Sequence, residues 1–400
     1  MATAFDPERQ FDHLDPTLAQ RFNEDLAARR QRCPVEHSDN YGGFWAVYTH
    51  DAVLAVASDP HTFSNSQGID LPRFVENIRQ PPVDYDPPEH GQYRKVIQRL
   101  FTRQAVAGYE DVLRELTATR IAELMTAGTA DLVPGLARYL PPIAIAIVLG
   151  LPPEDGERFV TWTTNLLITA ATGDQEANQA IAAELRAYLA GHLERQRLAG
   201  DDTVINSIAQ GSVEGRPLTE DEQLGMLQAL VIAGHETTVA SVGTLLYNLA
   251  VVDGLRDEIV RDPAALPKAV DECLRMEAPV VAIKRTVVGE AEIAGRRLRD
   301  GDRVLMVLSA TGRDEAVFDR PDEFVWNRER NPHLAFGYGV HRCVGEHLAR
   351  LEMRVVAEEV LRLAPDFHVE PGFTPQWTEG RLTRSPASLP VVFSRDGAGG

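Results

Sequence analysis

The sequence is short of cysteine and of positive charge. Its 400 residues contain three cysteines, Cys33, Cys273 and Cys343, too few and too widely spaced for a disulfide framework. A reducing compartment, the cytoplasm, therefore fits the sequence. Forty lysines and arginines stand against 59 aspartates and glutamates, which gives a net charge of −19. This balance argues against nucleic-acid binding and against attraction to an anionic membrane surface.

Long apolar runs and linkers are also missing. A transmembrane helix needs about 18 consecutive apolar residues, and the longest candidate, 224–234, is bounded by charged residues. We interpret it as part of a buried core helix, and the N-terminus shows no apolar signal. The composition, 44% hydrophobic and 25% charged, is that of a globular protein. The sequence predicts a single domain over 1–400, with a loosely ordered N-terminal segment (1–40) and tail (396–400).

One cysteine lies in a glycine-rich stretch, residues 336–345 (Phe-Gly-Tyr-Gly-Val-His-Arg-Cys-Val-Gly). Its glycines permit backbone shapes and close approaches that a Cβ would block. Cys343 stands just before a predicted helix, where unpaired N–H groups and the helix dipole favour an anion. We therefore expect its thiol to ionise readily. A thiolate held against a flat group is the arrangement of an axial ligand to haem iron.

Two other interpretations remain open from these residues alone. A single cysteine is most often a small buried apolar residue. His341, Cys343 and His347 also contain the atoms needed to ligate zinc, although one cysteine without a partner pair makes a poor structural zinc site.

The pattern Phe-Gly-x-Gly-x-His-x-Cys-x-Gly resembles the haem-binding loop of the cytochrome P450 family, and every position of it is met. The resemblance implies a mainly α structure with small β-sheets (α+β), a cytochrome P450-like helical fold that encloses haem b, iron protoporphyrin IX. It also implies Cys343 as the iron ligand. Phe336, Gly337, His341 and Gly345 would contact the cofactor.

A second stretch, residues 86–94 (Asp-Pro-Pro-Glu-His-Gly-Gln-Tyr-Arg), contains prolines that favour a helix start. His90 and Arg94 are four residues apart and therefore lie on one helix face. They fit an exposed basic face, since further basic residues follow. They also fit partners for the carboxylates of a haem. The stretch is similar to the family helix in which the matching His and Arg hold a haem propionate.

The longest predicted helix, from 222 to about 252, contains Ala-Gly-His-Glu-Thr-Thr at 233–238 in its apolar middle. An acid there is costly unless it has a partner or a task. Gly234 would leave room for a small ligand, and Thr237 can bond the carbonyl four residues back. The motif also fits a polar break in a surface helix. It resembles the family's Ala-Gly-x-(Asp/Glu)-Thr-Thr motif, which implies Glu236 and Thr237 as the catalytic acid–alcohol pair.

Glu272 and Arg275 form an i,i+3 pair, which by itself usually means a solvated surface pair. Its position resembles the family's Glu-x-x-Arg pair behind the haem, so we assign it a structural role. Gly312 stands where the family often has asparagine. We expect a loop adjustment there without loss of activity.

Residues 280–288 alternate as a strand in which Val281, Ile283 and Arg285 share one face. Arg285 matches the family's second propionate anchor. Apolar residues on this face and on the long helix should line a pocket for a small, largely apolar organic substrate, and Ala233 would also contact the haem. The pocket candidates are Ala229, Ile232, Ala233, Val281 and Ile283.

Periodicity predicts the remaining elements. Helices are expected at 18–30, 51–58 (with Asp51 as the cap), 107–126, 138–149, 154–170, 175–198 and 348–363. Strands are expected at 44–48, in a hairpin of 292–295 and 301–306, and among turns over 366–394, with a loop at 385–389 entering the pocket. The irregular residues 61–85 would form a mobile loop over the pocket, and 154–198 its lid.

The resemblance implies a monooxygenase, similar to bacterial members of the family, that inserts one oxygen atom of O₂ by hydroxylation, epoxidation or O-demethylation. No flavin or nicotinamide fingerprint is present, so a separate ferredoxin and its reductase should supply electrons to a monomeric enzyme. The expected docking face is a basic patch of Lys95, Arg99, Arg103, Arg342 and Arg350.

Two alternatives stay open. A peroxide-driven enzyme on the same fold would not need the acid–alcohol pair. A haem-binding sensor or carrier without turnover would need neither a proton relay nor a large pocket.

Overall fold

The computed structural model describes residues 9–73, 75, 78–199, 203–378 and 382–393. The structure is mainly helical with small sheets, as predicted. The α-helices are α1 (Phe22–Arg32), α2 (His50–Ser58), α3 (Glu89–Gln98), α4 (Arg103–Ala107), α5 (Glu110–Met125), α6 (Leu140–Leu149), α7 (Gly156–Thr172), α8 (Gln175–Ala199), α9 (Val204–Ala209), α10 (Glu220–Val251), α11 (Leu255–Arg261), α12 (Ala265–Met276), α13 (Leu308–Thr311) and α14 (Glu346–Leu363).

The β-strands are short. They are β1 (Val35–Ser38), β2 (Phe44–Val47), β3 (Phe63–Ser64), β4 (Thr129–Asp131), β5 (Ser212–Val213), β6 (Arg216–Pro217), β7 (Ile283–Val287), β8 (Ala291–Ile293), β9 (Arg296–Leu298), β10 (Arg303–Met306), β11 (His368–Val369) and β12 (Pro390–Val392). The largest sheet has the order β1-β2-β10-β7-β3, and a second has the order β11-β12-β4.

Helix α10 is the central element. It begins with a capping box, in which Glu222 N donates to Thr219 Oγ1 (3.3 Å) and Thr219 N donates to Glu222 Oε2 (2.8 Å). This box starts the helix at Glu220, slightly before the predicted position. The helix packs against α6, α8 and α14. It is long and apolar enough to cross a membrane, but 72% of its apolar window is buried inside the protein. The predicted core helix is thereby confirmed.

The N-terminal segment is better ordered than predicted. Residues 16–32 form a 3₁₀ turn followed by α1, and β1 pairs with β2. Phe11, Leu18 and Phe22 are at most 5% exposed and belong to a second, smaller apolar core. The prediction of loose packing over 1–40 is therefore wrong for 9–40, because these side chains are needed to cover the large sheet. Residues 1–8 and 396–400 lie outside the described residues.

The predicted hairpin of 292–295 and 301–306 is wrong. β8 pairs instead with β9, with Gly295 in the left-handed region (φ 78°) at the turn between them. β10 leaves this hairpin and joins the main sheet, antiparallel to β7 and parallel to β2. The predicted cap of α2 is also wrong, since Thr49 Oγ1, and not Asp51, accepts the hydrogen bond from Ala52 N.

The other predicted elements lie close to their expected positions. The described residues between 61 and 85 are irregular apart from β3, which pairs with β7. In the C-terminal loop at 385–389, Ser388 Oγ and Leu389 N both donate to the carboxylate of Asp131 in β4. This loop is thus attached to the edge of the three-stranded sheet.

Candidate active site

Cys343 is held by a tight loop that ends directly before α14. Cys343 N donates to Phe336 O at 2.9 Å, which closes the loop. Gly339 adopts a φ of 70°, and a Cβ there would lie 2.8 Å from Ala57 O in α2. Only glycine permits this approach. The predicted position of the cysteine, just before a helix N-terminus, is confirmed, since α14 begins at Glu346.

The thiol of Cys343 is accessible although it lies deep inside the molecule. Burial raises its pKa, and this effect outweighs the Gly345 N–H and the charges of Arg94 and Arg350, which lower it. The prediction of a readily ionised thiol is therefore wrong for the polypeptide by itself. A thiol that coordinates a metal ion is deprotonated by the metal, so this pKa is compatible with an iron ligand.

The zinc interpretation is not supported. Nowhere in the described residues do three or more His, Cys, Asp or Glu side chains converge in a way that could hold a metal ion. The Nδ1 atom of His341 is instead 3.1 Å from Asn65 Nδ2.

Four basic side chains, distant in the sequence, come together beside the cysteine loop. The imidazole rings of His90 and His341 have centroids 4.3 Å apart. Burial is the main cause that lowers the pKa of His341 to about 2, and the charges of Arg285, His90 and Arg94 lower it further. Burial and Arg94 lower the pKa of His90 to about 4, and burial lowers that of Arg285 to about 10. The structure thus brings together the predicted propionate ligands.

This basic cluster (His90, Arg94, Arg285 and His341) makes no direct ion pair with an acid among the described residues. The charge of Asp86 acts on His90 and Arg285, but its carboxylate oxygens accept hydrogen bonds from Ser64 and Asn65. Throughout the ranges that the structure describes, no carboxylate lies within ion-pair distance of Arg94 or Arg285, and Arg285 Nη1 donates only to Lys284 O. His341 Nε2 is buried without a hydrogen-bond partner. Buried cations and an unpaired imidazole nitrogen require an anionic or accepting group. Two carboxylates beside a thiolate ligand satisfy them, so these residues fit haem.

Three further residues, Asn65, Asp86 and Ser64, position the cluster, and sequence reasoning assigned none of them this role. Asn65 binds His341 through its side chain, and Asn65 N donates to Asp86 Oδ1 at 2.8 Å. Ser64 Oγ donates to the second oxygen of Asp86. Asp86 stands at the head of the recognised 86–94 stretch, which was a usable signal. Nothing in the local sequence marks Asn65.

A few residues in the middle of α10 keep accessible surface, although the residues around them in the helix are buried. The residues with accessible surface there are Ile232, Ala233, Gly234, Glu236 and Thr237. Thr237 Oγ1 donates to Ala233 O at 3.1 Å, as predicted for a threonine in this motif. His235 points the other way and is fully buried, with Nδ1 2.9 Å from Val231 O. The predicted acid and alcohol therefore share the accessible side.

Gly234 has a different role from the predicted one. A Cβ at this position would lie 2.6 Å from Ile145 Cγ1 in α6. The glycine thus allows α10 and α6 to pack closely, and the space beside it is already filled by protein.

Three of the five pocket candidates keep accessible surface, namely Ile232, Ala233 and Ile283. Ala229 and Val281 are only 7% and 3% exposed, and Val281 packs in the smaller apolar core. The prediction of pocket positions is wrong for these two. β7 starts at Ile283, so the alternation does not extend back to Val281, and Ala229 lies in the part of α10, residues 223–231, that is buried throughout.

Glu272 and Arg275 form a fully buried ion pair. Two hydrogen bonds of 2.8 Å join the carboxylate and the guanidinium, and both side chains are 0% exposed. Arg275 also donates to the carbonyl of Gly312, and Glu272 accepts from Arg328 Nε at 2.9 Å. This is the structural role predicted from the motif. A Cβ at position 312 would lie 1.8 Å from Arg275 O, so the glycine belongs to the same close packing.

The predicted basic docking patch is only partly available. Arg342 and Arg350 both pair with Glu346 at 2.7 Å, and Arg350 also pairs with Asp271. The prediction is wrong for these two arginines, whose charges are neutralised by acids on α12 and α14. The exposed basic residues that remain are Lys95, Arg99 and Arg103 on and after α3.

The comparisons with known proteins agree with this geometry. A cytochrome P450 family model matches residues 264–380. Mycinamicin IV hydroxylase/epoxidase of Micromonospora griseorubida is 32% identical, and the alignment covers 87% of this chain and 89% of that protein. This chain belongs to the cytochrome P450 family. Steroid C26-monooxygenase of Mycobacterium tuberculosis (strain CDC 1551 / Oshkosh) is 33% identical, with coverage of 91% and 98%.

A solved P450 structure matches the fold over its whole length. A mutant of the P450 EryK in complex with erythromycin B superposes with a TM-score of 0.86 at 30% identity, covering 95% of this chain and 98% of that chain. The protein is therefore a cytochrome P450 monooxygenase whose cofactor is haem b. As a P450 it uses O₂, an organic substrate and a redox partner.

Proposed function

We propose that this P450 oxidises a small, largely apolar organic substrate as a cytoplasmic, monomeric, single-domain enzyme over residues 1–400, with electrons from a separate ferredoxin and its reductase. The observation that carries the proposal is the basic cluster beside Cys343. The Arg285 guanidinium in this cluster is buried without a direct ion pair to any described carboxylate, next to an accessible thiol.

The residues divide the task of holding the haem. Cys343 would ligate the iron, His90 and Arg94 would bind one propionate, and Arg285 with His341 would bind the other. Phe336, Gly337, Gly345 and Ala233 contact the macrocycle, which is consistent with the accessible surface at these positions. When bound, the haem supplies O₂ binding and the oxidising chemistry, which the thiolate ligand promotes by donating electron density.

The acid–alcohol pair on α10, Glu236 and Thr237, transfers protons from solvent to the pocket. Thr237 Oγ1 donates its hydrogen to Ala233 O in this structure, and rotation of the hydroxyl offers that hydrogen to an oxygen in the pocket. Glu236 is partly exposed on the same side of the helix. Its carboxylate can therefore take a proton from solvent and pass it toward Thr237. An enzyme that used only peroxide would not need this pair, so its presence favours the O₂-dependent reaction.

The accessible pocket positions Ile232, Ala233 and Ile283 are apolar, which supports an apolar substrate body. The relatives named above are named for oxidation of mycinamicin IV and of a steroid. From these relatives we transfer to this chain only the class of reaction, which is hydroxylation or epoxidation. The segments 61–85 and 154–198 are the proposed cover and lid of the pocket.

The proposed ferredoxin site is the exposed basic surface of α3 and α4. Ferredoxin is acidic, so reversing the charge of Lys95 and Arg103 together should slow its electron transfer steeply at low salt and little at high salt. The matched control is the reversal of Arg296 and Arg297 on the β8–β9 hairpin, which should leave the rate unchanged. Equal rates in both double variants would place the docking face elsewhere.

The proposed function is tested by the absorption spectrum of the purified protein, reduced and exposed to carbon monoxide. A strongly red-shifted Soret band is expected, since the iron ligand is a thiolate. Cys343→His should abolish this band while haem stays bound. A wild-type band typical of histidine ligation would refute the assignment of Cys343, and turnover with peroxide alone but not with ferredoxin would favour the peroxide-driven alternative.

A further inference from the structure

One acidic side chain lies deep in the molecule without a partner. Asp70 belongs to the irregular segment between β3 and α3 and keeps accessible surface. Burial, the largest influence, raises its pKa to about 7. Among the residues placed by the structure, none donates a hydrogen bond to its carboxylate or pairs with it. A side chain that is both deep and accessible faces an internal space.

Two cations lie near Asp70, but both are engaged by other acceptors. Arg73 Nη2 donates to Asp84 Oδ2 at 2.7 Å, and Lys284 Nζ donates to Gln67 O at 2.7 Å. Asp84 contributes a like charge, which raises the pKa of Asp70 further. The carboxylate of Asp70 thus has no hydrogen bond and no direct ion pair in the described part of the chain, although the charges of Arg73 and Lys284 offset part of the rise in its pKa.

Asp70 lies beside the strand that carries the cofactor and substrate groups. Lys284 N donates to Ile69 O at 2.7 Å, which fixes the residue before Asp70 against β7. On either side of Lys284 stand Ile283, an accessible pocket candidate, and Arg285, a member of the basic cluster. The segment therefore borders the proposed substrate pocket.

We infer that Asp70 determines specificity by pairing with a protonated amine on the substrate, whose remaining surface is apolar. The inference rests on the proposed function, because it assigns the substrate of that same pocket. A carboxylate remote from bulk water gains most from a partner that brings an opposite charge and N–H donors. A neutral substrate of the same shape leaves the carboxylate unpaired and loses affinity.

The pairing has a defined pH dependence. Only the ionised carboxylate pairs with the ammonium group, so affinity should rise as the pH increases through about 7, while an aliphatic amine stays protonated up to roughly pH 10. The groups that face Asp70 are Asp84, Arg73 and Lys284. Burial lowers the pKa of Lys284 to about 8. Amine affinities are therefore compared only below this pH, where Lys284 keeps its charge. A carboxylic acid donating to a neutral substrate would give the opposite slope.

The test uses the haem-loaded enzyme and two probes of equal chain length, N,N-dimethyldodecylamine and dodecyl methyl ether. Dissociation constants are measured by titration calorimetry and by the haem spectrum. The wild type should bind the amine at least tenfold more tightly than the ether. Asp70→Asn should remove this preference and keep the affinity for the ether. Asp253→Asn, the same change at an exposed site after α10, should behave as the wild type.

A wild type without amine preference, or an unchanged preference in Asp70→Asn, overturns the inference. If Asp70→Asn does not retain haem, the wild-type pH series decides, since an amine affinity that is flat or falls with increasing pH is incompatible with the pairing. The carbon monoxide spectrum separates this from the function itself. A thiolate band without amine preference rejects the role of Asp70 alone, and amine preference without the band rejects the thiolate assignment alone.

Discussion

Two groups of buried charge in this molecule are neutralised in different ways. Around Arg275, every charge has a partner within the chain, since Glu272 binds both Arg275 and Arg328. Around Arg285, basic side chains of α3, β7 and the cysteine loop crowd together, and no carboxylate of the described residues forms a direct ion pair with Arg94 or Arg285, although the charge of Asp86 acts on Arg285. Glu272 and Arg275 in the first group and His90 and Arg285 in the second are almost completely buried, whereas Arg94 and His341 are half-buried.

The difference indicates which charges serve the fold and which serve a ligand. Removing one partner of a matched buried pair leaves an uncompensated charge, which costs about 3–5 kcal/mol. An unmatched cation already carries that cost in the polypeptide, and its partner must come from outside. In the proposed site, the haem propionates are the anions that complete the second group.

The largest expected effect comes from breaking the matched pair. Arg275→Met should lower the free energy of unfolding by about 3–5 kcal/mol, because it leaves the buried Glu272 carboxylate short of its main counter-charge. Arg285→Met should change this stability much less but accelerate haem transfer to apomyoglobin roughly 10- to 100-fold, as expected for lost charged hydrogen bonds. Urea unfolding measures the free energy of unfolding, and the kinetics of haem transfer to apomyoglobin measure haem retention. Equal losses of stability would contradict the distinction.

The packing beside the matched pair gives the next effect. Gly312→Ala forces a Cβ to within 1.8 Å of Arg275 O, so the backbone must shift. We expect a loss of about 3 kcal/mol in the free energy of unfolding. Gly91→Ala in α3 is the control, since a Cβ there meets nothing within 4 Å, and it should stabilise the helix by about 0.5–1 kcal/mol. Similar unfolding midpoints for the two variants would refute the role of Gly312.

The unmatched cluster makes stability depend on pH. His90 has a pKa near 4 in the folded chain against 6.5 as its ordinary value, so the unfolded chain binds a proton in this range and the folded chain does not. Stability should therefore fall as the pH drops from 6.5 to 4, by up to about 1.4 kcal/mol per pH unit.

The haem-depleted protein should show this decrease in stability with falling pH, and His90→Asn should reduce the slope. In the haem-loaded protein the propionate favours the charged imidazole, so the slope should be smaller there. A slope that is steeper with haem than without it would contradict the proposed propionate contact. Unfolding midpoints across the pH range provide the measurement.

The smallest effect on stability is expected on α10. Thr237→Ala removes one partly exposed hydroxyl and should change the free energy of unfolding by about 0.5 kcal/mol or less. Haem and substrate binding should remain, while more of the reducing equivalents appear as hydrogen peroxide, because the pocket has lost a proton donor. Peroxide formed per electron consumed is the readout. Unchanged coupling would remove Thr237 from the mechanism.

Much of this site was predictable because its signals are local. The cysteine loop, the acid–threonine motif and the 86–94 stretch each carry their residues within a few positions, and the helices follow an apolar periodicity that the core then buries. The errors concern pairings between distant segments. The β8–β9 hairpin, the burial of Val281 and the packing of Gly234 on Ile145 depend on which element comes to lie opposite, which no local pattern specifies.

The sequence by itself therefore determined the helical class and the family, and it predicts Cys343 as the iron ligand. The tertiary structure decided which charges have partners. His341 is held by Asn65, 276 positions away, and Arg350 pairs with Asp271 of α12, 79 positions away. Asp70 has no direct ion pair because Arg73 and Lys284, whose charges still lower its pKa, donate to other acceptors. The energy of a buried charge depends on all the groups around it in space, and folding alone assembles those groups.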